Sequence, residues 1–173
     1  MNLQLMYSSE LIQARTRELG ARISKDFHDL PLVAVCVLKG AAIFFADLVR
    51  SLSIETEMDF VRMSSYAGST SSSGKVTFSK DMEIPIKDKH VLIVEDIVDT
   101  GLSVSYLRHV LEARNPLSIR ICALIDKLER RQVQVKVHYP GFVLREGFIV
   151  GYGLDYAEKY RQLPGIFKLV SEK

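Results

Sequence analysis

The segment 91–103, VLIVEDIVDTGLS, constrains the fold of this chain more than any other stretch. Its apolar start fits a strand buried on both faces, as in a parallel sheet, and the run ends in two adjacent carboxylates, Glu95 and Asp96. A third acid, Asp99, opens a short turn of Thr, Gly and Ser, after which helical periodicity begins. A strand that passes into a helix in this way is typical of α/β proteins. We therefore expect a mainly parallel sheet flanked by helices.

The same turn has the chemistry of an anion-binding site. Ligands of open α/β sheets lie at the carboxyl ends of the strands, and a helix N-terminus offers backbone N–H groups to a phosphate. Thr100 and Ser103 add hydroxyl donors, and carboxylates beside a phosphate imply a divalent cation between them. Taken alone, the segment also fits a nucleotide triphosphatase or a receiver domain. The segment 68–76 is not a triphosphatase phosphate loop, because its glycines are one residue too far apart and Val76 replaces the required hydroxyl.

The composition indicates an ordinary globular protein. A chain of 173 residues with 47% hydrophobic residues fits one domain, 1–173, with a sizeable core. A net charge of +2 without a basic run argues against nucleic acid as a partner. No apolar stretch approaches the roughly 20 residues that span a bilayer, and no secretion signal is visible. Cys36 and Cys122 lie in predicted buried strands without paired spacing, which favours a reducing cytoplasm.

Periodicity and chain breakers predict alternating strands and helices. We expect the N-terminus to enter an amphipathic helix at once. The predicted helices are 11–25, 41–52 and 101–114, and the predicted strands are 32–38, 56–63, 76–79, 90–96, 119–125, 133–137 and 148–150. Pro140 and Gly141 predict a turn, 64–74 a mobile polar loop, and 151–161 a loop rich in Tyr, Gly and acids. Strands alternating with helices predict a parallel sheet with right-handed crossovers.

Four further motifs fall at predicted strand ends or in loops: Leu38-Lys39-Gly40, the loop 64–76, Lys127, and the run 148–156 with Arg161. Together with the acidic segment they resemble, in order and spacing over nearly the whole chain, the hypoxanthine-guanine phosphoribosyltransferases of the type I phosphoribosyltransferase fold. The resemblance implies a mainly parallel α/β sheet. It also implies a small hood from the N- and C-terminal segments and a flexible flap over 64–76.

The resemblance further implies an activity in purine salvage. Such enzymes transfer ribose 5-phosphate from phosphoribosyl pyrophosphate to hypoxanthine or guanine, which gives IMP or GMP and pyrophosphate, and they use Mg²⁺. Asp99 would be the general base that takes the purine N7 proton. The implied pyrophosphate-binding residues are Lys39, Gly40, Ser65, Tyr66 and Arg161. The implied ribose-phosphate-binding residues are Glu95, Asp96, Ile97, Val98, Asp99, Thr100, Gly101, Leu102 and Ser103. The implied purine-binding residues are Lys127, Phe148, Ile149 and Asp155, and the implied Mg²⁺ ligands are Glu95, Asp96 and Asp155.

Two departures and two alternatives accompany this interpretation. Ala41 stands where many relatives have a second glycine, and Leu102 brings no charge to the phosphate loop. The enzyme alternative is transfer to another base, such as xanthine. The alternative from another class is a regulator that senses phosphoribosyl pyrophosphate while binding nucleic acid, which would not need Asp99. The family also implies a homodimer or homotetramer, in line with apolar character in the first helix and in 38–45, and it allows a cis peptide before Lys39.

Overall fold

In the computed structural model of this chain, residues 2–65 and 76–170 are described, without the side chains of Ser64, Ser65 and Val76. The elements follow one another in this order: β1 (Asn2–Tyr7), α1 (Ser9–Asp26), β2 (Leu32–Leu38), α2 (Ala42–Arg50), β3 (Thr56–Ser65), β4 (Val76–Lys80), β5 (His90–Val98), α3 (Leu102–Glu112), β6 (Ser118–Lys127), β7 (Tyr139–Leu144), β8 (Ile149–Val150) and β9 (Ile166–Val170).

Six strands form the main sheet, in the order β4-β3-β2-β5-β6-β7. The pairs from β3 to β7 are parallel, and β4 is antiparallel to β3. Helices cover both faces, so the central strands are apolar on both sides. Ala34 and Cys36 of β2 pack in the core beneath α1 and α2, whereas the alternating Val33 and Val35 pack beneath α3. The predicted parallel α/β architecture is confirmed.

Three strands form a second, antiparallel sheet in the order β1-β9-β8. It corrects one expectation, because the chain does not enter a helix at once but begins with β1. Strand β9 was not predicted at all. Both strands come from terminal segments and pair with each other, Asn2 opposite Val170 and Gln4 opposite Lys168. Because β1 and β9 lie at opposite ends of the sequence, no local sequence pattern predicts that they pair.

The segment after β6 differs from expectation in its strands. Residues 133–137, predicted as a strand, have no regular secondary structure. The strand of this region is β7, which begins at Tyr139, two residues after the predicted strand ends. The predicted turn residues Pro140 and Gly141 lie inside β7. β7 is an edge strand that pairs with β6 among the described elements, and an edge strand tolerates the missing N–H of a proline.

Other boundaries shift by small amounts. The acid pair lies inside β5 instead of at its end, because β5 stays paired with β6 as far as Val98 opposite Asp126. Ser64 and Ser65 belong to β3 and are paired with β4, so this part of the predicted loop is strand. The remainder of that loop, including Tyr66, lies outside the described residues. Within the described part of the chain, no helix is long and apolar enough to cross a membrane.

Candidate active site

Three parallel neighbours in the sheet end beside one another. β2 is followed by Lys39 and Gly40, β5 by Asp99, and β6 ends at Lys127. Because β2, β5 and β6 are adjacent and parallel, these residues share the carboxyl edge of the sheet. The sequence placed them at three separate strand ends, and the topology brings them to one edge.

The loop after β2 is packed between two other segments. The peptide between Leu38 and Lys39 is cis. A Cβ atom on Gly40 would lie 1.7 Å from Oδ2 of Asp96, and one on Gly153 would lie 2.1 Å from the carbonyl oxygen of Gly40. Gly153 also has a φ of 98°. No side chain fits at either position, so β5, the loop after β2 and the 151–161 loop are in close contact here.

Two cations stand on these loops, and carboxylates already hold both. Nζ of Lys39 lies 2.7 Å from Oε2 of Glu158, and Nη2 of Arg161 lies 3.3 Å from Oε1 of the same residue. Arg161 also contacts Oδ1 of Asp155 at 2.8 Å and donates to the Gly153 carbonyl at 2.7 Å. Nothing in the sequence singles out Glu158, since it is one of several acids in a polar loop. In the structure it bridges the two cations with its two oxygens.

The acid pair in β5 has an unusual electrostatic environment. Glu95 is buried, and burial together with the neighbouring charge of Asp96 raises the pKa of Glu95 well above its usual range. Burial also raises the pKa of Asp96 to about 6, although backbone N–H donors and Arg161 act in the opposite direction. Both carboxyls thus hold their protons more tightly than free acids do, and a nearby positive charge would favour the ionised forms.

A small cavity of about 110 Å³ lies where β5 gives way to α3. Its walls consist of Glu95, Ile97, Val98, Asp99, Thr100, Gly101, Ser103 and Val104. All but Val104 were predicted as ribose-phosphate ligands. Leu102, also predicted, does not line this cavity, and its side chain is exposed. Its backbone N–H donates to Oγ1 of Thr100, at the first residue of the helix.

Asp99 lies between this cavity and the end of β6. Its Oδ1 atom is buried and has no hydrogen-bond partner among the described residues. Its Oδ2 atom lies 3.7 Å from Nη1 of Arg130. The backbone carbonyl accepts a hydrogen bond from Nε of Arg131 at 2.9 Å. Within the described part of the chain, the carboxylate thus keeps one oxygen that could accept a proton.

The predicted purine-binding residues lie on three segments. Lys127 is buried, and its Nζ lies 3.2 Å from Oε2 of Glu129. The same Glu129 oxygen accepts from the N–H of Gly147 at 3.3 Å, which joins Lys127 to the residue before Phe148. Phe148 is half exposed and makes an edge-to-face contact with Tyr156, whereas Ile149 is buried in β8. An aromatic ring left open to solvent beside a buried cation suits a flat ligand with a polar edge.

Two predicted pyrophosphate-binding residues are not assigned a place in the site. The side chain of Ser65 and the whole of Tyr66 are outside the described residues. Across residues 2–65 and 76–170, no three His, Cys, Asp or Glu side chains form a group that could hold a metal ion by themselves.

A larger cavity, of about 890 Å³, lies at the amino end of the sheet, where Leu32 and Thr56 begin β2 and β3. It contains none of the predicted residues.

Comparisons with known proteins agree with this geometry. The chain is 44% identical over 163 residues to "Hypoxanthine-guanine phosphoribosyltransferase" of Bacillus subtilis, an alignment that covers 94% of this chain and 91% of that one. It is 42% identical to "Hypoxanthine-guanine-xanthine phosphoribosyltransferase" of Tritrichomonas foetus, with 95% and 91% covered. A hypoxanthine phosphoribosyltransferase structure from Staphylococcus aureus superimposes with a TM-score of 0.92 at 41% identity, with 96% and 91% covered.

A family model described as "Phosphoribosyl transferase domain" matches residues 6–157, which include the acidic segment of β5 and the carboxyl edge around it. With the match spanning most of the chain and the relatives aligning over nearly all of it, the chain belongs to the phosphoribosyl transferase domain family.

Proposed function

We propose that this protein is a hypoxanthine-guanine phosphoribosyltransferase of purine salvage. It would transfer the 5-phosphoribosyl group from phosphoribosyl pyrophosphate to a 6-oxopurine. The bond between C1′ and the pyrophosphate oxygen breaks, a bond from C1′ to a purine nitrogen forms, and the purine gives up one proton. The observation that carries the proposal is the carboxyl edge of the sheet, which gathers an anion cavity, two cations and a free carboxylate oxygen.

The cavity between β5 and α3 supports a role in holding the 5′-phosphate. Thr100 and Ser103 offer hydroxyl donors, and the first N–H groups of α3 point toward its N-terminus, where the helix dipole favours an anion. Glu95, which lines this cavity, and Asp96, whose carboxylate faces Gly40, would accept from the ribose hydroxyls. Leu102 would contribute its backbone and not its side chain.

Lys39 and Arg161 are proposed to bind the pyrophosphate. Both are held by Glu158, which occupies the position of an anion between them. Pyrophosphate carries more charge than one carboxylate and accepts bidentate bonds from a guanidinium, so it can displace Glu158. Gly40 would let the backbone approach the same group. Ser65 and Tyr66 are proposed to complete this end of the site.

Lys127 is proposed to donate to O6 of the purine, while Phe148 stacks on the ring. Ile149 would present backbone groups to the base edge, and Asp155 would close that end of the site. Asp99 is proposed as the general base for the N7 proton, because its Oδ1 atom has no partner in residues 2–65 and 76–170 and can accept that proton.

Glu95, Asp96 and Asp155 are proposed as the residues that hold Mg²⁺, directly or through water. Their fit rests on the donor chemistry, since all are hard oxygen ligands, and on the raised pKa of both carboxyls in β5. No protein cage is present among the described residues, which suits an ion that takes most of its ligands from substrate phosphates and water. When bound, the ion would reduce the charge that develops on the leaving pyrophosphate.

The remaining expectations are proposed with this activity. The partners are small-molecule substrates, without a membrane or nucleic acid, and the protein assembles as a homodimer or homotetramer. A cytoplasmic location is proposed as well, in line with two cysteines, Cys36 and Cys122, that are free and not joined in a disulfide. The presence of Asp99 argues against the regulator alternative.

One assay tests reaction class and base choice together. Initial rates are measured with hypoxanthine, guanine, xanthine and adenine, each with phosphoribosyl pyrophosphate and Mg²⁺. We expect product with hypoxanthine or guanine and none above background with adenine, since adenine has no O6 for Lys127. Product with xanthine alone would replace the proposed function with the xanthine alternative. No product with any base, together with retention of a nucleic-acid fragment in a gel shift, would favour the regulator.

A further inference from the structure

One guanidinium group joins the ends of two neighbouring strands. Arg131 donates from Nε to the carbonyl of Asp99 at 2.9 Å and from Nη2 to the carbonyl of Val98 at 2.9 Å. The same Nη2 donates to the carbonyl of Lys127 at 3.0 Å and pairs with Oδ1 of Asp126. The side chain is 16% exposed. Arg131 is therefore a nearly buried link between the end of β5 and the end of β6.

The contacts of Arg131 begin where hydrogen bonding between β5 and β6 ends. The β5–β6 ladder ends with Val98 opposite Asp126. Beyond that pair, Asp99 has left the ladder, and its carbonyl is held by Arg131 instead. The following segment is attached as well, because the N–H groups of Gln132 and Val133 both donate to the carbonyl of Thr100.

Arg131 is not available to a ligand anion. Asp126 neutralises its charge, and three backbone carbonyls at 3.0 Å or less accept from its Nε and Nη2. Because its donors are bonded to backbone carbonyls and to Asp126, Arg131 acts by holding backbone positions and not by binding a ligand. The backbone atoms that it fixes belong to Asp99 and Lys127, the proposed base and the proposed O6 donor.

We infer that Arg131 is a positioning residue that sets Asp99 and Lys127 relative to each other, an inference that rests on the proposed function. N7 and O6 lie on one edge of the purine, so the group that takes the N7 proton and the group that donates to O6 must be spaced to match that edge. Displacements well below 1 Å already matter for such groups. Pairing between β5 and β6 stops one residue earlier, at Val98 opposite Asp126, and beyond that pair Arg131 joins the backbones of Asp99 and Lys127.

The test compares Arg131→Met with Arg120→Met. Arg120 lies toward the other end of β6 and is likewise tied across elements, since its Nη1 donates to Asp26 and to the Tyr139 hydroxyl. Loss of either guanidinium should lower the melting temperature. We expect Arg131→Met to reduce kcat with hypoxanthine by about 10- to 100-fold, and Arg120→Met to leave kcat within about twofold. Binding of inorganic pyrophosphate in Mg²⁺, measured by calorimetry, should stay within about twofold for both variants, because Lys39 and Arg161 lie on other loops.

A double-mutant cycle separates positioning from general damage. If Arg131 acts through Asp99, adding Arg131→Met to Asp99→Asn should cost less than about threefold in kcat, because the group being positioned is already inactive. Arg131→Lys, which keeps the charge and fewer bonds, should recover part of the lost rate. A full loss of rate on adding Arg131→Met both to Asp99→Asn and to Lys127→Ala, or unchanged kcat for Arg131→Met in an otherwise wild-type protein that is active, would overturn the inference. Absence of transfer by the wild-type protein would instead overturn the proposed function.

Discussion

Asp99 is the proposed general base, and its Oδ1 atom has no hydrogen-bond donor among the described residues, so both of its lone pairs are open to a proton. Asp99→Asn keeps the shape of the side chain but removes its ability to take a proton. We expect kcat to fall by about 10²–10⁴-fold, with little change in the affinity for phosphoribosyl pyrophosphate. Steady-state rates and calorimetry measure the two effects. A variant within about twofold of wild-type kcat would remove Asp99 from this role.

Asp96 makes stability depend on pH in an uncommon direction. Its folded pKa of about 6 lies above the ordinary value of 3.8, so the folded state binds the proton more tightly than the unfolded state. The stabilisation from this proton is complete below about pH 4 and is lost as pH rises through 6. The full shift corresponds to roughly 3 kcal/mol. Without divalent cations, wild type should therefore lose stability relative to Asp96→Asn between about pH 4 and 6.

Urea unfolding with a chelator, at several values between pH 4.5 and 7.5, measures this difference. Glu146→Gln, at an exposed acid, is the control and should show no such trend. Addition of Mg²⁺ at pH 7 should raise the melting temperature of wild type more than that of Asp96→Asn. A stability difference that does not change with pH would contradict the assigned protonation of Asp96.

At the scale of elements, the contact between two loops sets the position of the proposed pyrophosphate ligands. Gly153→Ala would place a methyl group 2.1 Å from the Gly40 carbonyl and force alanine to a φ of 98°. We expect the KM for phosphoribosyl pyrophosphate to rise by about tenfold or more, since the loops that bear Lys39 and Arg161 must separate.

Gly147→Ala is the matched control for this substitution. Gly147 has a similar φ of 107°, but an added Cβ would meet only the flexible end of Lys168, at 3.1 Å. Both variants should lose a similar amount of stability through backbone strain, about 1–3 kcal/mol. Equal effects of both variants on KM would show that strain alone, and not the contact with Gly40, disturbs the site.

The elements also show what a sequence reveals about this fold. The bounds of β2 were predicted to the residue, because a strand covered on both faces is a continuous apolar run between polar breaks. β7 was missed because Pro140 and Gly141 resemble a turn, whereas an edge strand accepts them. Residues 133–137 alternate between apolar and polar side chains as a strand does, but they pair with no strand among the described residues. Whether a segment pairs depends on which edge of the sheet is free, and a local sequence pattern does not show this.

The residues of the candidate site also fall into two groups, those that the sequence singles out and those that only the structure reveals. Lys39, Asp99 and Lys127 were singled out by motifs at strand ends and by the resemblance that those motifs carry, and the structure places all three at one edge of the sheet. Glu158 and Arg131 were not found, because each matters through contacts made across the fold. Glu158 reaches a residue 119 positions away, and Arg131 reaches Val98 from 33 positions away. Sequence motifs show which groups meet a ligand, and tertiary structure shows which groups hold them in place.

At the scale of the whole molecule, exposed apolar side chains support the proposed assembly. The two stretches judged too apolar to be fully exposed contain Leu11 and Ile43, which are 46% and 38% exposed. Light scattering after size exclusion should give two or four times the chain mass of 19.6 kDa. Leu11→Lys or Ile43→Lys should lower that mass at micromolar concentration, while Leu117→Lys, at another exposed leucine outside those stretches, should not. A wild-type mass of one chain would contradict the assembly.

The small sheet β1-β9-β8 connects the proposed purine-binding backbone to both terminal segments of the chain. Ile149 lies opposite Lys168, Lys168 lies opposite Gln4, and the carbonyl of Phe148 accepts from the N–H of Leu169. Fraying of β1 or β9 therefore loosens the backbone that would face the base. By linkage, a bound nucleotide should slow amide hydrogen exchange in β1, although no residue of β1 needs to touch it.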